Sequence, residues 1–71
     1  MDNSAVMRLA RETGYSAEDV KEACQIMRAA NVPEDQIAMV LRLLATAATL
    51  DGVGSPLAAL ARRAAEQAEH D

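Results

Sequence analysis

An all-α fold, a compact bundle of four short helices, is what this chain predicts, and three observations carry the expectation. Apolar residues recur at helical spacing in four stretches. Capping or breaking residues bound each stretch: Ser4, Gly14, Ser16, Asn31, Pro33, Gly52, Gly54 and Pro56. Hydrophobic residues reach 51% but aromatics only 1%, so the apolar content is Ala, Leu, Val and Met, which suits helices and not strands. At 71 residues the chain is one domain.

The first helix is expected over residues 5–13, with Ser4 or Asn3 as its N-terminal cap. Val6, Leu9, Ala10 and Thr13 form one stripe, and Gly14 stands where a left-handed cap would end the helix. Ser16-x-x-Asp19 opens the second helix, residues 17–30, as a capping-box variant with Tyr15 as a staple toward Val20. Its inner stripe is Val20, Ala23, Cys24 and Met27, widened by Ile26.

The third helix, residues 33–50, starts at Pro33, which a first turn tolerates, with Glu34 and Asp35 favourable for the dipole. Ile37, Val40, Leu41, Leu44 and Ala48 share one face. Met39, Leu43 and Leu50 fall on the opposite one, with Thr46 among them. A helix apolar on two sides is normally covered on two sides, so this helix is expected at the centre of the bundle. A glycine hinge at 52–54 precedes Ser55-Pro56, read as cap and first turn of a fourth helix over 56–69. That helix gathers Leu57, Leu60, Ala61, Ala64 and Ala68 on one side and sets Arg62 four residues before Glu66.

Small domains gain stability from disulfides, metals, tight packing or self-association. Cys24 is the single cysteine and His70 the single histidine. No internal disulfide is possible, and four zinc ligands are lacking. Cys24 sits mid-helix on an apolar stripe and reads as a small buried hydrophobe, not a nucleophile. Asp19, Glu34, Asp35 and Glu66 are explained by helix starts and surface pairing. No catalytic residue, metal or cofactor is expected, nor an enzyme. The start Met1-Asp2-Asn3-Ser4 lacks the features of a signal peptide. No apolar run reaches the roughly 20 residues of a membrane span. A cytoplasmic protein with no membrane association is expected.

The net charge of -4 opposes general binding to polyanions. A helix-turn-helix echo over Met27–Val40 leaves one alternative, a small DNA-binding transcriptional regulator contacting DNA through Arg28 and Arg42. Its would-be recognition helix opens with two acids, Glu34 and Asp35. Only a dimer with an arginine face of Arg8, Arg11, Arg62 and Arg63 would offset that.

Val6-x-x-Leu9, Gly14-Tyr15-Ser16 and Val20-x-x-Ala23 together resemble the start of a ubiquitin-associated domain. That resemblance implies a Gly-Tyr loop after the first helix and binding to a partner's apolar patch. It stops at Ala23, because the distance from Gly14 to the third helix is too long for the family. The favoured expectation is a non-enzymatic protein-interaction module: a homodimer, adaptor or inhibitor. It would bind another protein or a second copy through Met39, Leu43, Leu50, Leu57 and Leu60.

Overall fold

A computed structural model describes residues 2–51 and 56–69, the side chains at 51, 68 and 69 excepted. It holds four helices: α1 (Asn3–Thr13), α2 (Ala17–Ala29), α3 (Glu34–Asp51) and α4 (Leu57–Glu69). The fold is a small all-α bundle. The expected hinge at 52–54, Ser55 and His70 lie outside the described residues.

The helix ends among the described residues show which local signal prevailed. At α1 the cap is Asp2, not Ser4 or Asn3, its Oδ1 accepting from the Ala5 N–H at 2.9 Å. An aspartate caps as well as a serine and adds a negative charge at the positive end of the dipole. Gly14 ends α1 at φ 83, its N–H donating to the Ala10 carbonyl at 2.9 Å. This is a left-handed cap of the single-bond type. Ser16 caps α2, with Oγ accepting from the Asp19 N–H at 3.1 Å.

At the far end of α2, Asn31 takes the left-handed conformation at φ 65. Its N–H reaches the Arg28 carbonyl and that of Val32 reaches the Met27 carbonyl, both at 3.0 Å. These two bonds make a Schellman motif, with Val32 packed against the core. Both prolines stand just outside their helices rather than in the first turn. The Pro33 carbonyl accepts from Gln36 and Ile37, and the Pro56 carbonyl from Ala59 and Leu60.

The core draws on every helix. Val6 and Leu9 come from α1, and Val20, Ala23, Cys24 and Met27 from α2. Ile37, Leu41 and Ala45 come from α3, and Leu57 and Ala61 from α4. Tyr15, Ile26, Val40, Leu44, Leu60 and Ala64 pack half-buried around it.

The structure does not single out α3 as the centre. α2 packs on all three other helices and makes the most extensive contact in the molecule, with α4. The small side chains Ala23, Ala58 and Ala61 are buried on these two helices, and small residues let helix axes approach closely. Among the described residues the backbones of α1 and α4 do not approach closely: no Cα of one lies within 8 Å of a Cα of the other.

Candidate functional site

The Cα trace measures 32 × 29 × 16 Å. A helix with its side chains is about 10–12 Å across, so a slab this thin has little depth to enclose a helix on both sides. α3 illustrates the consequence. Ile37, Leu41, Ala45 and Ala48 face inward and are buried, whereas Met39 is 58% exposed, Leu43 65% and Leu50 81%.

Met39, Leu43, Thr46 and Leu50 are spaced by four, three and four residues. That alternation matches the spacing of core positions in a coiled coil, over less than two heptads. Ala47 adds exposed apolar surface beside them. The one polar member, Thr46, spends its hydroxyl on its own helix, Oγ1 donating to the Arg42 carbonyl at 2.9 Å. Covering Thr46 would therefore leave no unpaired donor, the usual cost of burying a hydroxyl.

The edge of the stripe facing α1 is closed by a salt bridge. Arg42 Nε lies 2.8 Å from Glu12 Oε2. Below it Glu12, Thr13, Arg42, Ala45, Thr46 and Thr49 line an open cleft of about 240 Å³. Thr13 and Thr49 also turn their hydroxyls inward, to the Leu9 and Ala45 carbonyls.

Not every expected contact residue reaches this surface. Leu57 is completely buried, and Leu60 is half-buried against the core. The reason is where α4 docks: its apolar side turns to α2, leaving Leu57 no access to solvent. Met7, 57% exposed on α1, was not singled out from the sequence. It lines a second open depression with Asn3, Val6, Ala17, Glu18 and Lys21.

The residues of the DNA-binding alternative are engaged elsewhere. Arg28 Nη2 pairs with Glu34 Oε1 at 2.9 Å across the α2–α3 turn, and Arg42 pairs with Glu12. Each guanidinium is thus matched by a carboxylate. Arg8 and Arg11 lie on α1 and Arg62 and Arg63 on α4, two helices whose described backbones do not come within 8 Å, Cα to Cα. Arg62 and Glu66 are both exposed and form no ion pair among the described residues.

Cys24 is 4% exposed, and desolvation pushes its thiol above the ordinary value, against smaller lowering effects of the N-terminal charge and Arg28. That is the opposite of the shift a nucleophilic cysteine requires. Among the described residues no three His, Cys, Asp or Glu side chains gather as metal ligands. No described helix is long and apolar enough to cross a membrane.

Asp19 has a role that sequence reasoning missed. Its carboxylate does not fold back onto its own helix start as in a full capping box. Oδ2 accepts from the Leu57 N–H at 2.8 Å and Oδ1 from the Ala58 N–H at 2.9 Å. The first two backbone donors of α4 are thus capped by a side chain 38 and 39 residues earlier in the chain. No local signal marks this, because the partners meet only when α4 lies across the start of α2.

The Gly14-Tyr15 loop turns its ring toward the core, where Tyr15 packs half-buried. No protein-family model, curated protein or solved structure matches the chain.

Proposed function

We propose that the chain is a small, non-enzymatic protein-interaction module that docks through the outer stripe of α3. The observation that carries this reading is the exposure of Met39, Leu43 and Leu50 along one line of one helix. Scattered exposed leucines are ordinary, but a contiguous apolar patch on a small domain marks a contact surface. Methionine and leucine at helical spacing make an adaptable one. Two further features support it: the stripe's threonine is internally satisfied, and its neighbouring arginine is tied back to α1.

The test is a photoreactive amino acid in place of Leu43, compared with the same group at the exposed polar position Gln25, in cells that express the protein. A discrete covalent adduct at position 43 and none at 25 is expected. Absence of any adduct at 43, with the protein folded, overturns the reading.

A further inference from the structure

We propose that the outer face of α1 is a second docking surface, and that its occupant is an acidic peptide segment with an apolar residue set between its carboxylates. This surface stands apart from the α3 stripe and needs no part of it.

The surface is built around one side chain. Met7 is 57% exposed and lines two neighbouring open depressions. One, of about 280 Å³, is completed by Ser4, Arg8 and Arg11. The other, of about 320 Å³, runs from Met7 to Glu18 and Lys21 on α2. Ser4, Arg8 and Arg11 are spaced by four and three residues, so they lie in line along α1. The exposed methionine thus has two guanidiniums on one side and an ammonium on the other.

The charge of this face runs against that of the chain. The whole carries a net charge of -4, yet three cations and one carboxylate, Glu18, line the two depressions. Arg28 and Arg42 are held by glutamates. Arg8, Arg11 and Lys21 form no ion pair among the described residues. The acids at the two ends of α1 are already committed: Asp2 caps the Ala5 N–H and Glu12 holds Arg42.

Charge and size together select the occupant. A nucleic acid calls for a longer row of cations. An anionic bilayer would meet a single exposed methionine on a chain of its own sign. A short acidic peptide matches what is present: an apolar side chain against the adaptable Met7, one carboxylate toward Arg8 and Arg11, and another toward Lys21. Arginine is suited to the first of these, because its planar fork takes a carboxylate in two parallel hydrogen bonds.

The probe is a synthetic peptide repeating glutamate, leucine and glutamate, added to the purified protein and followed by amide NMR. Shifts centred on Met7, Arg8, Arg11 and Lys21 are expected, with an affinity that falls as salt rises. Arg8→Glu together with Arg11→Glu should weaken binding by about 10-fold or more. The same reversal at Arg62 and Arg63, exposed on α4, should change it by about 2-fold or less. Serine in place of leucine in the peptide should weaken binding, and lysine in place of glutamate should abolish it.

Equal losses from the α1 and α4 reversals would reveal a response to net charge alone and overturn the surface. So would the absence of shifts on α1 at millimolar peptide, or shifts centred on Met39 and Leu43. A serine peptide that binds as well as the leucine peptide would overturn the apolar contact at Met7. Phosphatidylserine vesicles or duplex DNA bound through Arg8 and Arg11, in place of the peptide, would overturn the peptide as occupant. Leu43→Asp should leave peptide affinity unchanged, so failure here and failure of the α3 surface are read separately.

Discussion

α4 and the outer face of α3 make an instructive pair. Both present leucine and small apolar residues at helical spacing, yet Leu57, Ala58 and Ala61 are buried and Met39, Leu43 and Leu50 are open to solvent. Hydrophobicity does not separate them; a fixed partner does. α4 has α2, whose small side chains allow close approach and whose Asp19 satisfies the first backbone donors of the arriving helix. Among the described residues the outer face of α3 has no such anchor. Burying the start of α4 requires partners for its first backbone donors, and Asp19 supplies them for two.

The largest test of that contrast is deletion within the covered side. Leu57→Ala should cost about 2–5 kcal/mol in chemical denaturation, the range for a fully buried leucine. A loss below about 1 kcal/mol, the scale of a surface change, would mean that α4 is only loosely held.

Next comes the anchor. Asp19→Ala removes the acceptor of two backbone donors at a partly buried site and should cost about 1–3 kcal/mol. Asp19→Asn keeps one carbonyl oxygen and should cost less. Amide exchange at Leu57 and Ala58 should accelerate in both variants more than exchange at Leu9. Uniform acceleration would show that Asp19 supports the whole bundle and not α4 in particular.

Gly14→Ala follows. A Cβ there meets no atom within 4 Å, so the cost is that of the left-handed backbone alone, about 1 kcal/mol. Asn31→Gly should move the other way by a few tenths of a kcal/mol, since glycine adopts that conformation without penalty. The melting temperatures of the two variants should therefore shift in opposite directions.

The smallest effect belongs to the open side. In the monomer, Leu43→Asp should change unfolding stability by no more than about 0.5 kcal/mol, as for a surface site. Glu12→Gln, which opens the exposed salt bridge to Arg42, should cost under about 1 kcal/mol and lose its effect at high salt. If Leu43→Asp instead destabilised the monomer as Leu57→Ala does, the difference between the two faces would disappear.

Local chemistry made much of the molecule readable. The Ser16 cap, the Gly14 terminator, and the Val20, Ala23, Cys24 and Met27 stripe each involve partners within a turn or two of chain. The two apolar sides of α3 were likewise visible in its periodicity. Position along the chain hid the rest. Asp2 took the α1 cap from Ser4 because two good caps lay two residues apart and spacing does not rank them.

What the sequence determined by itself was the set of helices and which residues lie together on each face, because helical period and end-capping are short-range. Which face was covered, and by what, was decided only in three dimensions. Leu57 and Leu43 look alike in the chain, but burial depends on the distant groups that meet each one. Asp19 reaching α4, and α4 turning to α2 and leaving the outer side of α3 open, are contacts between segments far apart in the chain, and no local pattern encodes them.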